Sequence, residues 1–218
     1  MDNIAETRPS DSKFSYLDLL ASIGSAKHIG GRDATEKLIE AAGIKPGSYV
    51  LDVGCGMGKT SCKLAAMGCS VTGVDIMPRM IEESRSRARR TGVADRTTFL
   101  QCDARSLPFG PDTFDAVVVE SVTVFMDDVE KAIEGYHRVV KKGGPVCDNE
   151  VCITQETLEK MGGRLDDLKS VFTAFGSTTN KGMLTFEDWK GLFEKQFGSV
   201  EASHYLMDMN TEMETRRE

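Results

Sequence analysis

The chain has 218 residues, of which 40% are hydrophobic and 28% charged, and carries a net charge of −7 at pH 7. These are ordinary globular values, and the length supports one large domain with a sizeable core. The acidic balance argues against nucleic acid as the main partner. No apolar run approaches the ~20 residues of a membrane span. Met1 to Lys13 is polar and has no apolar signal core, so a cytoplasmic location is expected.

In chain order, residues 15–25 and 33–42 read as helices, joined by His28-Ile-Gly-Gly31. Strand one is predicted at 49–53, strand two at 70–74, strand three at 97–101, strand four at 115–120 and strand five at 145–151. Helices fill the gaps at 59–67, 78–91 and 128–140. Strands alternating with helices predict an α/β fold, a parallel sheet with helices on both faces. The alternation breaks after 151. Thr154 to Phe175 reads as a helix with Thr154 as its cap, weakened by Gly162-Gly163. Glu187 to Phe197 is a second helix. Val200 to Met207 reads as a late strand or strand pair, and 210–218 as a charged tail. Five arginines lie between Arg79 and Arg90, a pattern that fits a solvated helix face.

The segment Val50-Leu-Asp-Val-Gly-Cys-Gly-Met-Gly58 is the most informative. A short apolar run enters a glycine turn, and a helix follows, as in units that cradle nucleotides. Gly58-Lys59-Thr60 imitates the end of a phosphate-binding P-loop, but the first glycine of that motif falls on Val53. A dinucleotide fingerprint starting at Gly54 would need its third glycine where Lys59 stands. Gly-x-Gly-x-Gly preceded by Asp52 remains. An acid there suits a ligand with a cationic amino group and would repel a pyrophosphate. Asp75 ends the second strand 19 residues after Gly56, where such units place an acid on a ribose diol.

Asp52-Val-Gly-Cys-Gly-Met-Gly58 followed by Asp75 resembles the S-adenosylmethionine site of class I methyltransferases. Asp103-Ala-Arg-Ser-Leu-Pro-Phe109, Phe114-Asp-Ala-Val117 and Lys141-Lys-Gly-Gly144 extend the resemblance to the small-molecule branch, type 11, of the ubiquinone and menaquinone methyltransferases. It covers about residues 35–155. It implies a Rossmann-like, mostly parallel sheet, a C-terminal antiparallel hairpin that includes 199–209, and an N-terminal helical lid. One domain is expected, with the lid at 1–34, a cofactor-binding core at 35–153, acceptor-side helices at 154–198, and a terminal strand and tail at 199–218.

The resemblance also implies a cofactor, S-adenosylmethionine, with S-adenosylhomocysteine as product. Asp52, Gly54, Cys55, Gly56 and Gly58 would carry its methionine part, and Asp75 its ribose. Ile76 and Met77 would pack on the adenine, and Asp103 and Ala104 would meet its edge. Gly31 and Tyr16 would close over it from the lid. Glu120 has two open readings, contact with the cofactor's amino end or catalysis. His28 in the lid and Glu150 after strand five complete the catalytic candidates. A sulfonium methyl is already electrophilic, so orientation supplies much of the rate and a base is needed only for an acceptor that must lose a proton. Met161, Phe172, Phe175 and Trp189 read as ordinary core or as walls of an acceptor pocket.

The acceptor is expected to be a small molecule. The alternatives are an arsenite, thiol or amine methyltransferase, and an inactive cofactor-binding partner subunit. None of the six cysteines forms a Cys-x-x-Cys pair, so no metal is expected. The cysteine that arsenite methyltransferases place after strand four is absent from Ser121-Val-Thr-Val-Phe-Met126. Two departures stand out. Pro145 opens strand five, where it cannot donate to a ladder, and the chain ends soon after the late strand. The acceptor side is then either open or completed by a second subunit in a homodimer.

Overall fold

The computed structural model describes residues 30–161 and 184–203. Five short runs, valine-rich at the centre, build one parallel sheet. They are β1 (Tyr49–Val53), β2 (Ser70–Asp75), β3 (Thr97–Gln101), β4 (Ala116–Glu120) and β5 (Val146–Asn149). Their spatial order is β3-β2-β1-β4-β5. The β1 and β4 strands lie at the centre, and Val50, Leu51, Val53 and Val117 to Val119 are fully buried. A strand covered on both faces needs apolar residues at consecutive positions, which is why these runs do not alternate.

Alternation still sorts the side chains between two cores. Val50, Val71, Ala116 and Val118 pack on α1 (Gly31–Ala41), α2 (Lys59–Ala66) and α3 (Pro78–Thr91). Leu51, Val53, Val117 and Val119 pack on α4 (Val129–Val139) and on Trp189 of α6 (Phe186–Phe197). The order reverses between β1 and β4. Connections leaving these two strands diverge, and a crevice opens at the carboxyl ends, where open α/β sheets bind ligands. The doubly covered, Rossmann-like parallel sheet is therefore as expected.

Several boundaries differ. β5 is shorter than the predicted 145–151. Pro145 lies just before it, and its carbonyl accepts from Val117 N–H at 3.0 Å. It thus feeds the ladder without the N–H it lacks. Three 3-10 turns, Ala94–Arg96, Ala104–Ser106 and Thr123–Phe125, occupy segments between the predicted elements. The helix expected from Thr154 is seen as α5 (Gln155–Met161), and 162–175 lies outside the described residues. The α6 helix starts with a Thr185–Asp188 capping box. Trp189 of α6 is buried and donates its indole N–H to Val151 O at 3.1 Å, which makes it core rather than pocket wall.

Residues 199–203 form no strand, and the rest of the expected hairpin, 204–209, lies outside the described residues. Residues 1–29 of the expected lid lie outside as well, with Tyr16 and His28, as does the tail 210–218. Among the described residues no helix is long and apolar enough to cross a membrane.

Candidate active site

The chain leaves β1 at Val53 and enters α2 at Lys59 through a turn whose three glycines have φ of 65°, 50° and 70°. This left-handed region disfavours any residue with a Cβ. The neighbours add a second demand. A Cβ on Gly54 would lie 2.2 Å from Val122 Cγ2, and one on Gly58 would lie 2.8 Å from Ser84 Cβ. The turn is thus wedged between the loop after β4 and helix α3.

Asp75 fixes this turn to β2. Its Oδ2 accepts from Gly56 N–H at 2.9 Å and its Oδ1 from Met77 N–H at 2.8 Å. Cys55, itself buried, adds a backbone bond to Val74 O at 2.9 Å. A carboxylate has about four acceptor positions, so Asp75 holds two backbone groups and retains capacity for hydroxyls. Burial pushes its carboxyl above the usual value. Beside it, Ile76 is 51% exposed, an apolar surface at the mouth of the crevice. Met77 caps α3, and Pro78 occupies the first helical turn.

After β3, Asp103 caps the Ala104–Ser106 turn by accepting from Arg105 N–H. The Arg105 guanidinium folds back on the same carboxylate, with Nη2 to Oδ2 at 2.6 Å and Nε to Oδ1 at 3.0 Å. This clasp holds Asp103 below the usual carboxylate range. Ala104 is buried beneath it.

The remaining acids lie on two different faces. Asp52 is 3% exposed, on the α2 face, and Ser61 Oγ donates to it. Burial pushes its carboxyl up to about 7. Glu120 shares that face. Its Oε2 accepts from Thr35 of α1 at 2.9 Å and its Oε1 from Thr60 of α2 at 2.7 Å. Glu150 turns to the α4 face, where its Oε1 accepts from Val122 N–H at 2.8 Å and Thr123 N–H at 2.6 Å. Glu120 and Glu150, both catalytic candidates from the sequence, therefore bond on opposite sides of the sheet. Gly31 is the first residue of α1, with φ of 52°, and no described residue comes within 4 Å of its Cβ direction.

Residues 51–147 match the family model described as a methyltransferase domain. Methyltransferase GfsG of Streptomyces halstedii is 30% identical over 168 residues, covering 76% of this chain and 58% of that protein. The YcgJ protein of Bacillus subtilis superposes with a TM-score of 0.63 at 25% identity, over 75% of this chain and 67% of that one. A geranyl diphosphate methyltransferase in complex with GPP and sinefungin shares the fold, with a TM-score of 0.65 at 20% identity, over 76% and 59%. The chain carries a class I methyltransferase domain. It spans 58% of the length of GfsG.

The matched segment of this methyltransferase domain runs from β1 into β5 and contains the glycine turn, Asp75, Asp103 and Glu120. The sequence reading missed Thr35 and Thr60, which grip Glu120, and Val122, which seats on Gly54. Their partners are distant in sequence, so no local pattern marks them. Arg105 was legible in principle, because Asp-x-Arg is a short-range pattern that lets one carboxylate take both a backbone N–H and a guanidinium.

Two stability predictions follow from this geometry. Gly54→Ala combines a left-handed φ with overpacking, and it is expected to destabilise the domain by roughly 2–5 kcal/mol in urea unfolding. Val122→Ala in the same chain recovers the overpacking part and leaves the backbone part. Asp52 supplies the second. In the folded chain it keeps its proton up to about pH 7, whereas the unfolded chain releases it near 3.8. Between those values the folded state binds the extra proton, so this group's contribution to stability falls as pH rises from 3.8 to about 7. Asp52→Asn is expected to flatten that fall when urea midpoints are compared across the window.

Proposed function

We propose that the domain transfers a methyl group from S-adenosylmethionine to a small-molecule acceptor. The observation that carries this reading is the joint held by Asp75. One carboxylate ties the Gly56 amide to the end of β2, beside the exposed face of Ile76. The chemistry of this donor set fits the cofactor. Asp75 can accept from a ribose diol, Ile76 and Met77 offer apolar surface to a flat base, and Asp103 with Ala104 meets its edge. The Gly54–Gly58 turn, with Cys55, would take the methionine part, with Asp52 as a buried acid beneath it.

When bound, the cofactor supplies an electrophilic methyl on a sulfonium sulfur. The protein's own contribution is then orientation and exclusion of water. Glu120 bridges α1 and α2 through the Thr35 and Thr60 hydroxyls, which draws α1 over the end of β4. In that position it is read as a contact for the cofactor's cationic amino end rather than as a free base. Glu150 is engaged by two backbone amides. Both arrangements support catalysis by positioning, with little acid or base help. His28, Tyr16 and Gly31 belong to the proposed lid.

Burial holds the Cys55, Cys62, Cys69, Cys102 and Cys152 thiols above their ordinary value and pushes Cys147 up to about 11. Raised thiols are poor sources of thiolate, which in this reading favours an organic acceptor over arsenite. The geranyl diphosphate complex is consistent with a partly hydrophobic acceptor, which we include in the proposal at the level of class only.

Titration calorimetry tests the cofactor site. The wild-type chain is expected to bind S-adenosylmethionine, and Asp75→Ala to weaken it by about tenfold or more through loss of charged hydrogen bonds. Equal affinity in the two chains rejects the ribose assignment. Tight binding with no S-adenosylhomocysteine released over a panel of acceptors would favour an inactive cofactor-binding subunit.

A further inference from the structure

The far side of the crevice holds a second pair of acids that the proposed reaction does not use. Asp148 of β5 and Glu150, two residues on, point to the same face because side chains alternate along a strand. Thr123 Oγ1 donates to Asp148 Oδ2 at 3.0 Å and lies 3.3 Å from the Tyr136 hydroxyl of α4. Glu150 Oε1 accepts from both Val122 and Thr123 N–H. The other two carboxyl oxygens, Asp148 Oδ1 and Glu150 Oε2, are buried and receive no N–H or O–H from another group among the described residues. The two side chains lie close enough to influence each other electrostatically.

Two buried anions this close would repel strongly, and two orphaned acceptors would each carry a desolvation cost. One proton removes both problems. Glu150 already accepts two amide bonds, which favour its ionised form, so the proton belongs on Asp148. Among the described residues, Tyr136 on α4 faces the pair, and Glu120 at the end of β4 acts on it by charge from the other face of the sheet. The Glu120 charge adds repulsion and favours retention of the proton. Burial raises both members of the pair, consistent with this arrangement.

The bonds from this pair end on one short loop. Ser121 has a left-handed φ of 56°, its N–H donates to Asn149 O at 2.8 Å, and its buried hydroxyl oxygen has no partner among the described residues. Val122 follows and seats on Gly54. We propose that Asp148 and Glu150 share one proton, with Asp148 Oδ1 donating to Glu150 Oε2, and that the pair is a positioning device pressing Val122 against the glycine turn of the cofactor site. Asp148 and Glu150 are then positioning residues rather than catalytic ones. The effect on cofactor binding rests on the methyltransferase reading, whereas the shared proton does not.

Two measurements separate these claims. The infrared spectrum of the full chain near neutral pH is expected to show a protonated carboxylic acid band that Asp148→Asn loses, so that it appears in the wild-type-minus-variant difference spectrum. No such difference overturns the shared proton. Calorimetry with S-adenosylmethionine reads the positioning. Asp148→Asn keeps affinity within about twofold, because its amide N–H donates in place of the acid, and Glu150→Ala loses about tenfold by stranding two amides. Glu150→Gln rescues most of that loss, since its carbonyl accepts from both amides. Val122→Ala leaves the pair intact and also loses affinity, which keeps the claim testable if Glu150→Ala does not fold. Wild-type affinity in Glu150→Ala or in Val122→Ala overturns the positioning role. Failure of the wild-type chain to bind the cofactor, with the infrared difference present, rejects the methyltransferase reading and not the proton.

Discussion

A single carboxylate joins the parts of the site that must not move apart. Asp75 receives the Gly56 amide from the turn after β1 and the Met77 amide at the head of α3. Two connections that leave neighbouring strands are thereby locked to the same atom group. Each charge-assisted bond of this kind contributes about 1.5–3 kcal/mol, and both lie in a partly buried setting where water competes little. The glycine turn depends on this joint from one side. From the other it depends on Val122, whose side chain occupies the space a Cβ on Gly54 would fill.

Asp52, Glu120, Asp148 and Glu150 divide between the two faces of the sheet, and this division explains their different tasks. On the α2 face, Asp52 is bonded to Ser61 and Glu120 to the Thr35 and Thr60 hydroxyls. On the α4 face, Asp148 and Glu150 hold the loop that starts at Ser121. The strands β4 and β5 end in register, with Glu120 paired to Asn149. Pleating then sends Glu120 one way and both Asp148 and Glu150 the other. Neighbours along the sheet edge thus serve different layers. Hydroxyls surround the first, and two backbone amides with the Thr123 hydroxyl surround the second.

This arrangement has an energetic logic. Burying an ionised carboxyl is expensive unless hydrogen bonds replace its water. Asp52 answers by staying close to neutral. Asp75 uses two amides, and Asp103 remains half-exposed and takes a guanidinium. The six thiols remain protonated fillers of the two cores and their margins. The charged chemistry is therefore concentrated at the carboxyl ends of the strands, where the order reversal between β1 and β4 opens the crevice.

The sequence by itself determined the strand–turn–helix unit at 49–66, the identity of Asp75 and Asp103 as strand-end acids, and the alternation that makes the sheet parallel. Each of these is local. An apolar run, a Gly-x-Gly-x-Gly turn and an acid after a strand are all written within about 30 consecutive residues, the span of one βαβ unit. Only the tertiary structure decided what surrounds those residues. That Glu120 meets Thr35, 85 positions away, or that Glu150 meets Val122, 28 positions away, depends on strand order and pleat. The 3-10 turn at Thr123–Phe125 was equally hidden, because the carboxylate that accepts from Val122 and Thr123 comes from another strand's end. The sequence names the acids of the site. The sheet decides which face each one bonds on, because a one-residue step along a strand reverses the direction of a side chain.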